Sequence, residues 1–271
     1  MDTFEEIFFL QEQYSIKWKK YFQIYDKIFS KYRGKEITFV EIGVFDGGSL
    51  EVWKRYFGEK ARIIGIDLNP KCKKFENLSK KIEIFIGNQS DPNFWDEFFF
   101  NLKGSVDVVL DDGGHTNLDQ IITSVKVLEK INDDGILVVE DVHTSYIEKY
   151  NSSKKYSFIN FAKKIIDDLN SNIDQKLDLN FNYSLKKHIY SVEFFEGVVV
   201  FYVDRKKTFP NSPVSTSSKK NFIEDLTWSG NEINVKKIKN FLKKIPFIRF
   251  NKFTNFLNKK INDSILKKFF E

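Results

Sequence analysis

A single cysteine, Cys72, stands among 271 residues, which excludes an internal disulfide framework and any zinc site built on several thiolates. No run of about eighteen apolar residues occurs, so no segment reads as a membrane-spanning helix. The opening residues Met-Asp-Thr-Phe-Glu-Glu are acidic and lack the basic-then-apolar layout of a secretory signal. These absences lead to the expectation of a cytoplasmic protein. Internal repeats are missing, as is the G-x-G-x-x-G spacing of a dinucleotide-binding loop. Histidine is confined to His115, His143 and His188.

What is present is ordinary in bulk and uneven in detail. Hydrophobic residues make up 41% and charged residues 30%, values usual for a globular chain, and 29 phenylalanines supply bulky core material. The length suits one large α/β domain with an appendage. Residues 206–271 hold 15 Lys plus Arg against 5 Asp plus Glu, about +10, which leaves about −5 for the rest of a chain of net charge +5. The expected organisation is an N-terminal helical segment at 1–36, a central domain at 37–205, and a basic linker with two helical patterns, near 233–242 and 254–270, making up 206–271.

Residues 4–33 carry Phe, Tyr, Trp and Ile at mostly helical spacing, which predicts one or two amphipathic helices whose aromatic stripe packs in the core or forms a lid. Five β-branched, apolar runs follow at 37–42, 62–66, 82–86, 106–110 and 136–139. They alternate with helical patterns reaching Phe57, Phe100 and, at 118–131, Ile131, which predicts a parallel, doubly wound sheet. A polar turn at 132–135 precedes the fifth strand. After a polar loop and a helix near 158–169, two strands at 189–194 and 198–203 are joined by Phe195-Glu196-Gly197, a tight hairpin that would finish a seven-stranded mixed sheet.

The chemistry concentrates where these strands end. The fourth runs into Asp111-Asp112-Gly-Gly-His115 and the fifth into Glu140-Asp141-Val-His143. Parallel strands emerge at their carboxyl ends, where open α/β sheets bind ligands. Four acids at neighbouring tips repel one another unless a cation or shared protons intervene. Oxygen ligands with open positions suit magnesium or manganese, and iron(II) also accepts carboxylates. His115 and His143, directly after the acid pairs, are placed to take a proton near neutral pH.

Before the first helix of the sheet lies a glycine loop, Gly43-Val-Phe-Asp46-Gly47-Gly48-Ser49, with Glu41 ahead of it and Asp67 at the end of strand two, where a ribose-binding acid is expected. Such a loop could serve NAD(P) or S-adenosylmethionine. A pyrophosphate needs the strict glycine spacing at a helix N-terminus, whereas a sulfonium amino acid suits acids on either side of the loop, here Glu41 and Asp46. The turn Gly87-Asn88-Gln89-Ser90-Asp91 carries side chains able to contact a base.

Five stretches, Glu41-Ile-Gly-Val-Phe-Asp-Gly-Gly-Ser-Leu50, Gly65-Ile-Asp-Leu-Asn-Pro70, Gly87-Asn-Gln-Ser-Asp91, Asp111-Asp-Gly-Gly-His115 and Glu140-Asp-Val-His-Thr-Ser-Tyr146, together resemble the metal-dependent class I S-adenosylmethionine O-methyltransferases. Within that group they look like the macrolide sugar O-methyltransferases and the cephalosporin-hydroxylase-like enzymes. The resemblance spans about residues 37–146. It implies that Asp112, Glu140 and Asp141 bind the metal and that His115 is the general base. It also implies that Asp67 holds the ribose, that Gln89 and Ser90 lie near the adenine, and that the loop from Glu41 through Gly43, Asp46, Gly47 and Gly48 to Ser49 holds the methionine end. Asp111 would support the cofactor, and His143 and Tyr146 would meet the acceptor. Asp-Gly-Gly-His and Gly-Asn-Gln-Ser stand here where the family usually has Asp-Gly-Ser-His and Gly-Asp-Gln-Ser.

The expected reaction is methyl transfer to a sugar hydroxyl, on a nucleotide-linked sugar or a surface polysaccharide unit, with a catechol or small natural product as alternative acceptors. A competing enzyme class is an NAD-dependent oxidoreductase. A further alternative is a binding protein driven by the basic tail, which predicts peripheral membrane contact and nonspecific attraction to anions but carries no specific nucleic-acid signature. Self-association into a homo-oligomer is a further expectation.

Overall fold

The computed structural model of the chain describes residues 2–150, 154–171 and 185–209, with residues 214 and 267 singly. The chain divides into two units, Met1–Ser212 and Pro213–Glu271. The helical patterns expected at 233–242 and 254–270 lie outside the described residues, apart from residue 267.

Five strands, β1 (Thr38–Ile42), β2 (Arg62–Asp67), β3 (Ile82–Ile86), β4 (Val106–Asp111) and β5 (Ile131–Val139), run parallel, and β6 (Ile189–Phe195) and β7 (Val198–Val203) add an antiparallel hairpin against β5. The sheet order is β3-β2-β1-β4-β5-β7-β6. Strand order reverses between β1 and β4, and the crevice outside the carboxyl ends of those strands is where such sheets take ligands.

Alternation along each strand divides the apolar residues between two faces. Phe39, Ile63, Val108 and Ile136 point to one core, closed by α1 (Phe4–Phe9), α2 (Lys19–Phe29) and α3 (Gly48–Phe57). Val40, Ile64, Val109 and Leu137 point to the other, closed by α4 (Pro92–Asn101), α5 (Asn117–Val127) and α6 (Phe158–Asn170). The N-terminal aromatic stripe is core material. Phe4, Tyr25, Phe29 and Trp53 interlock in pairs with ring centroids 4.6 to 5.8 Å apart, each such pair adding about 0.5–1.5 kcal/mol beyond simple burial.

One element departs from the sequence reading and another refines it. The turn expected at 132–135 lies inside β5 as an irregularity in its pairing with β4. Asp134 takes φ +68° there, and its carbonyl accepts hydrogen bonds from Lys31 Nζ and Tyr32 Oη, so the kink is tied to the N-terminal helices. The helical spacing over 4–33 is interrupted: residues 10–18 are not helical. They lie along the glycine loop, where Gln13 Nε2 donates to Asp46 O at 2.6 Å. A Cβ on Gly48 would fall 2.3 Å from Tyr14 O, so only glycine allows this segment so close.

Candidate active site

Crossing from β1 to β4 at the switch point, the two loops nearly touch. Gly43 has φ +94°, and a Cβ there would lie 2.2 Å from Asp112 O. Above this contact opens a cavity of about 920 Å3, ample for a nucleoside-sized ligand.

Of the residues singled out in the sequence, Gly43, Asp46, Gly48, Ser49, Asp67, Gln89, Asp112, His115, Glu140 and Asp141 line this cavity. Glu41, Gly47, Ser90, Asp111, His143 and Tyr146 do not. Glu41 is buried behind the wall, where it accepts from Ser49 Oγ at 2.6 Å and Trp53 Nε1 at 3.0 Å. Asp111 is buried as well, accepting from Gln89 Nε2 at 2.9 Å, and burial pushes its carboxyl up to about 6. Ser90 Oγ donates to Asn88 Oδ1, which keeps it at its own turn. His143 meets the exposed Trp18 edge-on, with ring centroids 6.1 Å apart, and Tyr146 is exposed.

Asp67 organises the glycine loop. Its Oδ2 accepts the backbone N–H groups of Val44 and Phe45, at 2.9 and 3.1 Å, and Oδ1 accepts from Asn69 N. Gln89 joins two strand ends, donating to Asp111 and Thr123 and accepting from Gly114 N. Cys72 is buried at the cavity edge, and burial with the neighbouring Asp67 holds its thiol high, at about 11, which makes it a poor nucleophile.

Asp112, His115 and Asp141 converge. One ligand atom from each lies within 4.8 Å of the others, with His115 Nε2 3.8 Å from Asp112 Oδ1 and 3.6 Å from Asp141 Oδ2. His115 and Asp141 both hold left-handed backbone, φ +57° and +54°, a conformation that costs a side-chain-bearing residue energy and is concentrated at functional sites. Thr144 Oγ1 fixes the first of these by donating to His115 O at 2.7 Å. Two carboxylates with an open side form an oxygen donor set that fits a hard divalent cation, and the imidazole beside them is close enough to serve a group bound there. The buried Nδ1 of His115 has no hydrogen-bond partner.

Glu140 lies in the same cavity wall, bonded to α2 and to Lys17. Its Oε1 accepts from Tyr25 Oη, and Oε2 lies 3.4 Å from Lys17 Nζ. Burial raises its carboxyl above the usual range, with Lys17 opposing and Asp112 adding to the rise. Burial also raises the Tyr25 phenol, helped by Glu140, so Tyr25 keeps its proton and donates.

Three contributors escaped the sequence reading: Lys17, Tyr21 and Tyr25. Lys17 Nζ sits 2.5 Å from Asp112, 3.3 Å from Glu41 and 3.4 Å from Glu140, with its side chain 3% exposed. Burial alone would lower its pKa, but Asp112, Glu140 and Glu41 together carry it well above the ordinary lysine value. Tyr21 Oη donates to Asp141 Oδ1 at 2.7 Å. A spacing of four puts Tyr21 and Tyr25 on one side of α2, and that is the signal available in the sequence for those two; Lys17 precedes the helix and carries no such mark.

The sheet order, the glycine loop and the acids at the switch point define a class I methyltransferase fold, the fold of enzymes that use S-adenosylmethionine. The MycE methyltransferase from the mycinamycin biosynthetic pathway, solved in complex with Mg and SAH, matches 82% of this chain and 58% of its own, with a TM-score of 0.66 and 23% identity. No family model matches the sequence. Among curated proteins, the chain is similar to the 8-demethyl-8-alpha-L-rhamnosyl tetracenomycin-C 2'-O-methyltransferase of Streptomyces olivaceus, 30% identical over 167 residues, 57% of this chain and 43% of that protein. It is also similar to the demethylmacrocin O-methyltransferase of Streptomyces fradiae, 34% identical over 130 residues, 45% of this chain and 31% of that one. The chain thus spans less than half the length of the curated relatives it matches. The likeness read from the motifs, to macrolide sugar O-methyltransferases, is the likeness these comparisons find. Among the described residues, no helix is long and apolar enough to cross a membrane.

Proposed function

We propose that the chain is an S-adenosylmethionine- and divalent-metal-dependent O-methyltransferase acting on a sugar hydroxyl. The observation that carries this reading is the convergence of Asp112, Asp141 and His115 on the cavity that also holds the glycine loop and Asp67. The name of the Streptomyces olivaceus relative, which specifies O-methyl transfer on a rhamnosyl tetracenomycin, supports the sugar class.

Asp112 and Asp141 would hold the cation, with Glu140 beside them. When bound, such an ion lowers the pKa of a hydroxyl that touches it and fixes its direction. Tyr21 orients Asp141 through its hydrogen bond. The glycine loop and Asp67 bind the methyl donor, and Gln89 braces the floor between the two strand ends. His115 Nε2 removes the proton of the acceptor hydroxyl. The acceptor oxygen gains the methyl group as its proton passes to His115, and the donor leaves as a neutral thioether. Positioning supplies much of the acceleration, because the sulfonium methyl is already activated.

At the mouth, Ile16, Trp18, Phe45 and Leu68 form an exposed apolar rim that lines the same cavity. An apolar rim over an ion-binding floor suits a sugar, with one face apolar and adjacent hydroxyls on its edge. Nucleotide-linked sugars, polysaccharide units and glycosylated small molecules are the acceptor classes to screen. A methyl-transfer assay over these three, with magnesium, manganese or iron(II) and product mass as readout, tests the proposal. A mass gain of one methylene on a sugar acceptor supports it, and transfer undiminished by exhaustive chelation refutes the metal role. A cytoplasmic location, peripheral membrane contact through residues 206–271 and self-association complete the reading. Sedimentation with anionic liposomes checks the membrane contact.

A further inference from the structure

Lys17 is the feature of the site that this reaction leaves without a task. It comes from the non-helical segment 10–18, not from the sheet, and its ammonium lies within 3.4 Å of three carboxylates, Asp112, Glu140 and Glu41. Asp112 is a member of the ion-binding group, and Glu140 is the acid next to Asp141 in sequence. Asp112 is divided between two demands: Oδ2 faces Lys17 at 2.5 Å, and Oδ1 faces His115 at 3.8 Å. Glu140 is held by Lys17 and Tyr25, and the Lys17 ammonium bridges it to Asp112.

We propose that Lys17 is an internal cation that competes with the divalent ion for Asp112 and Glu140, and so sets how tightly the ion is bound. The inference rests on the metal-dependent reading above and adds to it a residue that regulates ion occupancy. The physical argument is one of charge. Buried carboxylates at this density need positive charge nearby. Lys17 supplies one unit from within the chain, and a divalent ion arriving at Asp112 meets both a shared ligand and a neighbouring positive charge. A purely orienting role for Lys17 would predict the reverse effect, since removing an outer partner of a ligand weakens metal binding by about 10- to 100-fold. Removal of a full charge a few ångströms from a doubly charged ion outweighs that at low dielectric.

The test is Mn2+ binding to the full chain, followed by electron paramagnetic resonance and without any methyl transfer. Lys17→Met is expected to bind Mn2+ at least tenfold more tightly than the unmodified protein, and Lys17→Arg, which keeps the charge, to stay within about threefold of it. Equal or weaker binding by Lys17→Met overturns the inference while leaving the metal reading intact, as does tightening by Lys17→Arg to the same degree. Mn2+ binding by none of the three proteins overturns both. A measurement on the unmodified protein guards against a variant that fails to fold. Pulse acetylation with peptide mass mapping should modify Lys17 several-fold faster at saturating Mg2+ than without it. A rate that is unchanged or slower in Mg2+ overturns the competition.

Discussion

The hydroxyl of Tyr21 donates to Asp141 Oδ1 at 2.7 Å, a bond between the second helix of the chain and the end of its fifth strand. Burial and Asp141 both push the phenol upward, so it keeps its proton and serves only as a donor. Asp141 Oδ2 is thereby left facing His115. Tyr21→Phe keeps the ring's packing and loses the bond. We expect its Mn2+ affinity to fall by roughly tenfold, as for other outer partners of metal ligands. An isothermal titration that matches the unmodified protein would remove Tyr21 from the site.

The Asp112 side chain belongs to the cluster with His115 and Asp141 and bonds to no residue of the glycine loop. Asp112→Ala should therefore lose methyl transfer by about 10³-fold or more, the scale of a lost Lewis acid. Binding of the demethylated cofactor, measured by calorimetry, should persist. Loss of both together would assign Asp112 to the cofactor instead.

For His115, replacement by alanine should lower the rate by about 10²- to 10⁴-fold, the usual worth of a placed general base. Part of that loss should return as pH rises, because the acceptor hydroxyl then ionises without help. A flat rate profile for the variant between neutral and alkaline pH would argue that His115 serves the ion rather than the proton.

Gly43 is the point where two loops cannot spare a methyl group. Gly43→Ala must accommodate φ +94° and a Cβ 2.2 Å from Asp112 O. Such a backbone costs about 1–3 kcal/mol, which for a domain of this size lowers Tm by several degrees. Differential scanning fluorimetry checks this, and an unchanged Tm would show that the loops can part.

A pH effect is expected far from the site. His188 Nδ1 accepts from Arg205 Nε at 3.1 Å, and burial, with Arg205 adding to it, lowers the imidazole's pKa. The folded state therefore favours neutral His188, so its contribution is present above the unfolded value near 6.5 and is lost as pH falls through the lower folded value. Arg205 also binds Ile131 O and Glu129 O, tying the hairpin edge to β5. The fall in Tm between pH 7 and pH 5 should be shallower in His188→Gln than in the unmodified protein. Identical slopes would show that His188 takes no part.

The sheet was legible because its strands are continuous apolar runs bounded by turn residues, and because each helix between them keeps its period. The placement of Asp112, His115 and Asp141 at neighbouring strand ends followed from the same pattern, since a parallel strand delivers its last residues to one edge. Glu140 was harder. Adjacent residues on a strand point to opposite sides, and at the end of β5 the strand turns through the left-handed Asp141, which separates the two carboxylates. Lys17 was hidden because nothing local marks a lysine in an amphipathic stretch as buried. Its surroundings come from residues 24, 95 and 123 positions away. The kink at Asp134 read as a turn because Asn-Asp-Asp-Gly is turn chemistry, whereas the pairing of Ile131 with Val106 and of Gly135 with Val203 carries the strand through it.

Those sequence separations bear on the order in which the molecule comes together. Tyr25 and Glu140 are 115 residues apart and Tyr21 and Asp141 are 120 apart, so α2 has no site to complete until β5 has been laid into the sheet. Contacts that close loops of this length form late. Helix α2, which precedes the sheet in sequence, thus closes over the carboxylates only once β5 is in place, and pulse-labelled hydrogen exchange during refolding should protect β4 before α2.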